Sequence, residues 1–189
     1  LTTLNVADNE LGPGCATALA AAIRHWPLLT TINCEYNHFG MPGTAVVAEA
    51  LGSCPRLMRV WLGWNAIGCD GAVEVVAHLS GCKFLQYLDL KRNSIGPQGA
   101  KAIAVACAQW PMLSVLHLPF NKLGTVGCEM VVEGVSKWCA HLETLTLDSN
   151  QCDSADAMEL AMYRWPKLKN LSLANNRYGP TATLKLALG

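Results

Sequence analysis

Short apolar strands and longer apolar helices alternate along this chain at a regular spacing. In the segment Leu88-Asp89-Leu90, two apolar residues flank a polar one, which is the two-residue period of a β-strand. Farther on, Ala100, Ile103, Ala104 and Cys107 fall at i, i+3, i+4 and i+7, on one face of a helix. The apolar pairs of the predicted strands are Leu4/Val6, Ile32/Cys34, Val60/Leu62, Leu88/Leu90, Leu116/Leu118, Leu145/Leu147 and Leu171/Leu173.

An asparagine follows each predicted strand at an almost fixed interval, with gaps of 28, 28, 28, 28, 29 and 26 residues. A period of this length over the whole chain indicates one structural unit that is copied and stacked. A single such strand cannot bury its apolar face, so we predict one parallel sheet in which the helices are the crossover connections. The asparagines are Asn9, Asn37, Asn65, Asn93, Asn121, Asn150 and Asn176.

These asparagines and the glycines that follow them are predicted to be structural. Each amide can pair with backbone groups that are left free where the strand turns away, and stacked copies would form an internal ladder. The glycines allow a tight turn into the helix. They recur once per repeat and no G-x-x-x-x-G-K-[ST] occurs, so we do not interpret them as a phosphate-binding loop. The pairs are Gly40/Gly43, Gly68/Gly71, Gly96/Gly99 and Gly124/Gly127.

The aligned copies share the pattern L-x-x-L-x-L-x-x-N-x-L-G-x-x-G-A, followed by an apolar helical stretch and often W-P-x-L. This pattern closely resembles leucine-rich repeats, and its length and L-G-x-x-G-A segment resemble the ribonuclease-inhibitor type. That class also includes Ran GTPase-activating proteins, nucleotide-binding innate immune receptors and actin regulators such as tropomodulin. The resemblance implies an α/β solenoid of about seven repeats, shaped as a horseshoe with the parallel sheet on the concave face and the helices on the convex face.

Composition narrows the class of partner. The 189 residues carry 14 lysines and arginines against 14 aspartates and glutamates. A net charge of zero argues against nucleic acid or an anionic membrane as the main partner. The chain begins on the first leucine of a repeat and stops at Leu188-Gly189 within a predicted helix. Because solenoids need polar caps, we expect residues 1–189 to be a single domain from a longer protein, with possible end-to-end self-association.

Nine cysteines are present, and no pair has the spacing C-x-x-C. Cys34 occupies a strand core position, while Cys54 and Cys82 occupy the repeat position of a tryptophan. We interpret them as small buried hydrophobic residues, which favours a reducing compartment and predicts a cytoplasmic protein. A zinc site or redox switch is the alternative, although no Cys/His cluster has ligand spacing. We expect no cofactor and no metal.

Two copies depart from the pattern. The fifth gains one residue near Trp138-Cys139, where we expect irregularity on the convex side. The sixth lacks the glycine pair, so Asp153 or Ser154 is predicted to cap its helix instead. Drift within a repeat and a feature specific to function both remain open. The tryptophans at helix ends, predicted to be structural wedges in the convex layer, are Trp26, Trp110, Trp138 and Trp165.

Residues that point out of the strands line the concave face, and large aromatic and charged residues are concentrated there in copies two to five. Trp, Tyr and Arg dominate the energy of protein interfaces, and an exposed aromatic cluster usually marks a binding surface. Packing of the tryptophans on each other or on a flanking segment is the alternative. The predicted partner-binding residues are Tyr36, Arg59, Trp61, Trp64, Tyr87, Asp89, Arg92, His117 and Phe120.

The function predicted from these features is non-catalytic protein binding on the concave face. His117 has Asp89 one strand away, but a Ser or Cys nucleophile is missing there, so a catalytic triad is not predicted. One alternative, implied only by the family resemblance, is regulation of a GTPase as in the Ran GTPase-activating proteins. Another is a ligand-sensing array within a larger receptor or effector.

Overall fold

The computed structural model describes residues 1–153 and 165–180, and within them seven short strands form one sheet. All neighbouring strands are parallel and follow chain order, as predicted. The register is the same at each step, so that Leu88 pairs with Val60 on one side and with Leu116 on the other. The strands are β1 Thr3–Asn5, β2 Thr31–Asn33, β3 Arg59–Trp61, β4 Tyr87–Asp89, β5 Val115–His117, β6 Thr144–Thr146 and β7 Asn170–Ser172.

A helix connects each of the first five strands to the next and packs beside the helix before it. Between this helical layer and the sheet lies a continuous core, formed by the inward residue of each strand, the next apolar residue and the apolar helix faces. The helices are α1 Gly12–Ile23, α2 Gly40–Gly52, α3 Gly68–Leu79, α4 Gly96–Ala106, extended by a 3-10 turn at Cys107–Gln109, and α5 Gly124–Trp138.

The repeated asparagines form the predicted ladder. Asn93 is buried, and its side-chain amide donates to the carbonyl oxygens of Leu90 in its own repeat and Leu62 in the preceding one, at 3.0 and 2.9 Å. Its side-chain oxygen accepts from the backbone N–H of Asn65 at 2.9 Å. Buried backbone groups that lie beyond the three-residue strands are thereby paired, and each ladder asparagine after Asn9 ties two repeats together.

The glycine pairs have two different roles. Gly96 begins α4 with φ +66°, a backbone conformation that glycine adopts without strain. Gly99 has no such φ, but a Cβ there would lie 2.4 Å from Cγ2 of Ile95 and 3.0 Å from Cβ of Ala72 in the preceding helix. The first glycine therefore serves the turn, as predicted. The second is small because two helices pack closely, which corrects the prediction that both serve the turn.

The tryptophan at the helix end is buried in two of the four copies that have one and partly buried in a third. Trp110 is fully buried and donates from its indole N–H to the carbonyl oxygen of Leu79 at 2.9 Å. Trp165 is also buried, and Trp26 packs against the core. Trp138 is 45% exposed, so its predicted wedge role is wrong. The extra residue of the fifth copy lies in α5, and Cys139 occupies the buried position instead.

Two cysteines form a disulfide that the sequence interpretation missed. Cys128 in α5 and Cys152 after β6 are bonded, with their Cα atoms 6.1 Å apart. Cys128 stands at the repeat position of the alanine near the start of the helix, and Cys152 stands at the position of the apolar residue after the asparagine of the next copy. These two positions are neighbours when the repeats are stacked. The prediction of inert thiols fits Cys34 and Cys82, whose burial raises their pKa values to about 12 and about 11. The predicted capping residue Ser154 lies outside the described residues, and so does Leu188-Gly189.

Candidate interaction surface

The residue immediately before each ladder asparagine has a left-handed backbone. φ is between +54° and +59° at Tyr36, Trp64, Arg92 and Phe120. This conformation costs a non-glycine residue roughly 1–2 kcal/mol, and the asparagine hydrogen bonds on either side hold it in place. The same conformation in successive repeats points the four side chains out of the sheet edge in the same direction.

These four side chains form a continuous stack, which we call the outer stack. The rings of Tyr36 and Trp64 lie face to face with centroids 4.6 Å apart. The guanidinium carbon of Arg92 lies 4.3 Å from the Trp64 ring centroid and 3.8 Å from that of Phe120. These distances fit the strand spacing of about 4.8 Å, so the repeat itself brings flat groups to stacking distance. Tyr36 and Phe120 are 38% and 40% exposed.

A second group, the inner stack, lies on the strands themselves. The ring centroids of Trp61 and Tyr87 are 4.3 Å apart, and His117 meets the Tyr87 ring edge-on at 5.3 Å. Nδ1 of His117 lies 2.8 Å from the Thr146 hydroxyl oxygen. Burial lowers the pKa of His117 below its ordinary value, although the charge of Asp89 opposes this shift. The hydrogen-bond partner of the His117 ring is thus Thr146, whereas the Asp89 carboxylate pairs with Lys91.

An ion network separates the two stacks. The ammonium of Lys91 lies 2.5 Å from Oε1 of Glu35 and 3.2 Å from Oδ2 of Asp89. Partial burial lowers the pKa of Lys91, but the two carboxylates outweigh it and the net shift is upward. The Glu35–Lys91 pair spans two strand intervals across Gly63, where a Cβ would lie 2.8 Å from Oε1 of Glu35. The missing side chain at Gly63 is what lets these charges meet.

Asp89 differs from what its outward position in the sequence suggests. It is only 3% exposed, and its carboxylate accepts from both the backbone N–H and the ammonium of Lys91. Its partner-binding role stays a prediction, but the carboxylate holds Lys91 instead of facing solvent. Sequence reasoning missed Glu35, Gly63 and Lys91, although all three occupy one outward row of successive repeats.

Two open grooves lie along this face. One, of about 350 Å³, lies beside the strand starts and includes Arg59, which is exposed. The other, of about 410 Å³, lies at the outer stack. The first is lined by Arg59, Trp61, Gln86, Tyr87, Ser114 and Val115. The second is lined by Trp64, Arg92, Ser94, Phe120, Lys122, Ser149 and Gln151.

The outward residues of β6 and β7 and of the turns after them form what we call the polar end. Asn170 donates to the hydroxyl of Thr144 at 3.2 Å. The Asp148 carboxylate accepts from the hydroxyl of Ser172 at 2.5 Å and from the backbone N–H of Ala174 at 2.7 Å. These polar groups pair with one another, whereas Ser149 and Gln151, in the turn after β6, line the second groove.

Neither a metal-binding cluster nor a helix that could span a membrane occurs in residues 1–153 and 165–180. No group of three or more His, Cys, Asp or Glu side chains there is placed to hold a metal ion. Among the helices described, none is long and apolar enough to cross a membrane.

Comparisons with known proteins agree on the fold. A family model described as "Leucine Rich repeat" matches residues 1–20 and 81–104. No curated protein sequence matches the chain. The crystal structure of human 5T4 (Wnt-activated inhibitory factor 1, trophoblast glycoprotein) matches 94% of this chain with a TM-score of 0.68 and 22% identity, and the match covers 61% of the 5T4 chain. The predicted leucine-rich repeat solenoid is confirmed, while the ribonuclease-inhibitor type stays a prediction.

Proposed function

We propose that this chain is a non-catalytic module that binds a protein partner on its concave face, through the outer and inner stacks. The outer stack carries the proposal. Leucine-rich repeat proteins generally mediate protein–protein interaction, and here Trp, Tyr, Phe and Arg side chains stack on one another at an exposed edge. Rigid aromatic and arginine side chains are the groups that contribute most to interface energy, because little conformational entropy is lost when they bind.

The size of the surface also fits a protein partner. Seven strands at about 4.8 Å extend over roughly 30 Å, and the two stacks cover β2 to β5 of that width. The two grooves are open at the surface, which suits an extended segment or a loop of a partner better than a small molecule enclosed on all sides.

Two further predictions accompany this proposal. We retain the ribonuclease-inhibitor type of repeat on the strength of the repeat length and the L-G-x-x-G-A segment. We also retain the cytoplasmic location as a proposal. The Cys128–Cys152 disulfide weighs against it, because disulfides persist mainly in oxidising compartments. Mass spectrometry of thiol-labelled protein from its native source would decide this point.

The test of the binding proposal is a pull-down that compares two double variants. Trp61→Ala/Trp64→Ala removes one ring from each stack, whereas Ser172→Ala/Asn175→Ala changes the same two repeat positions in the last copy of the polar end, where neither residue lines a groove. We expect a partner that the wild type and the second variant retain and the first loses, with circular dichroism showing that all three are folded. Equal retention by both variants would contradict the proposal.

A further inference from the structure

The groove at the outer stack, which we call the outer groove, has a local excess of positive charge on a chain whose net charge is zero. Arg92 and Lys122 both line it, and no acidic residue does. In the described part of the chain, neither cation forms an ion pair. The contrast with Lys91 is direct, because that ammonium, one residue from Arg92, is neutralised by two carboxylates. Among the described residues, Lys91 has two counter-charges, whereas Arg92 and Lys122 have none.

The geometry of Arg92 leaves its hydrogen-bond donors available. The faces of the guanidinium are covered by the rings of Trp64 and Phe120, which fixes its plane. Its N–H groups lie at the edge of that plane, where a carboxylate can be bound by two parallel hydrogen bonds. Stacking in this way orients the group in advance, so less entropy is lost on binding.

The polar groups of the groove agree with this. The side chains of Ser94, Ser149 and Gln151 line it and make no hydrogen bond to the residues described here. Hydroxyl and amide groups can donate to the remaining lone pairs of a bound anion. Two cations and three neutral donors therefore surround a space of about 410 Å³.

We propose that the outer groove binds an acidic side chain, Asp or Glu, of an extended peptide segment of the protein partner. The carboxylate pairs with Arg92 and Lys122, and an apolar neighbour in the segment packs along Trp64 and Tyr36. This inference rests on the proposed function and adds to it the chemistry of the partner.

Selection from a random-sequence peptide library on the immobilised protein provides the probe. We expect the enriched peptides to carry Asp or Glu. Replacing that acid with Asn or Gln in the peptide weakens binding by tenfold or more, as does Arg92→Gln, and Lys122→Gln weakens it less. The effects of the peptide change and of Arg92→Gln should not add, since each removes the same contact between the carboxylate and the guanidinium. Arg56→Gln, an exposed arginine outside both grooves, is the matched control and should leave binding unchanged.

The outcomes separate this inference from the proposed function. Acid-free peptides whose binding is lost in Trp61→Ala/Trp64→Ala would leave the proposed function standing and overturn the acidic peptide. Binding only when the acid is replaced by phosphoserine would overturn the carboxylate in favour of phosphate. Failure to enrich any peptide would count against both. Lys122 is exposed, so its variant remains informative if Arg92→Gln does not fold.

Discussion

The two parts of the concave face share one backbone and differ in how their side chains are satisfied. Across β2 to β5, rings and a guanidinium stack at the surface with open edges. Across β6 and β7, hydroxyl, amide and carboxylate groups hydrogen-bond to each other. The ladder and strand pairing continue through both parts. The fold thus determines where outward side chains stand, and the residues at those positions decide whether the face is available to a partner.

The largest expected effect tests whether the two parts share one scaffold. Asn93→Ala in the aromatic part and Asn150→Ala beside the polar end both remove a buried amide that pairs with several backbone groups. Each should lower the free energy of unfolding by about 2–4 kcal/mol, because donors and acceptors are left buried and unpaired. Chemical denaturation measures this loss.

The exposed first asparagine is the control for the ladder. Asn9 donates only to the carbonyl oxygens of Val6 and Ala7 near it in the chain. Asn9→Ala should therefore cost less than about 1 kcal/mol. A large difference between the losses in free energy of unfolding of Asn93→Ala and Asn150→Ala would show that the ladder does not stabilise the two parts equally.

A smaller effect is expected when a residue of the polar end is transplanted into the outer stack. Trp64, Arg92, Phe120 and Ser149 occupy the same position in four successive repeats. Trp64→Ser therefore gives the third copy the residue that the sixth copy has there. It removes the contacts with Tyr36 and Arg92, so the free energy of unfolding should fall by about 1–2 kcal/mol. Ser149→Ala should change it by less than about 0.5 kcal/mol. Equal effects would mean that the stack does not stabilise the fold.

The ion network gives a smaller effect, which sharpens the comparison. Gly63→Ala places a methyl group against Glu35 and Lys91. We expect the Glu35–Lys91 pair to separate and the pKa of Lys91 to fall, as it would in Glu35→Gln. The reason is that partial burial lowers this pKa, and the Glu35 carboxylate would then no longer offset that shift. The cost in stability should be about 1 kcal/mol or less, since the pair is partly exposed.

Titration of the lysine ammonium by NMR measures this shift. Gly81→Ala is a suitable control, because a Cβ there would lie 3.8 Å from the nearest atom, which is an ordinary contact. An unchanged pKa of Lys91 in Gly63→Ala would show that the glycine does not govern the pair.

The smallest expected effect is a pH dependence in the inner stack. The pKa of His117 is lowered in the folded state by burial, so the unfolded state binds more protons as the pH falls. The free energy of unfolding should therefore decrease as the pH drops below about 6.5, the ordinary value for histidine. His117→Gln should remove this part of the dependence, and His25→Gln, at an exposed site, should not. The same pH profile in both variants would contradict the assignment.

The sequence was sufficient for the fold and for the rows of the concave face. An asparagine repeated after each strand indicates a side-chain amide that pairs with the free backbone groups of the turn. The outer stack follows from placing Tyr36, Trp64, Arg92 and Phe120 in one row. The Lys91 network could not be predicted in the same way. It depends on a side chain reaching across two strand intervals, and this is possible only because Gly63 lies between them.

The remaining errors have local causes. One extra residue in the fifth copy allows two alignments, and counting from Asn121 selects Trp138 whereas counting back from Asn150 selects Cys139. Burial shows that the second is right. The disulfide was missed because Cys128 and Cys152 are far apart in the sequence, with a separation of 24, and become neighbours only when repeats are stacked.

The most direct test of the central claim is site-specific photo-crosslinking at one repeat position in both parts of the face. A photoreactive phenylalanine analogue replaces Tyr36 in one variant and Asn175 in another, and each is irradiated with the partner identified by the pull-down. We predict a covalent adduct with the partner from position 36 and none from position 175, which lines neither groove. An adduct from position 175 alone would contradict the claim that the aromatic part of the concave face binds the partner.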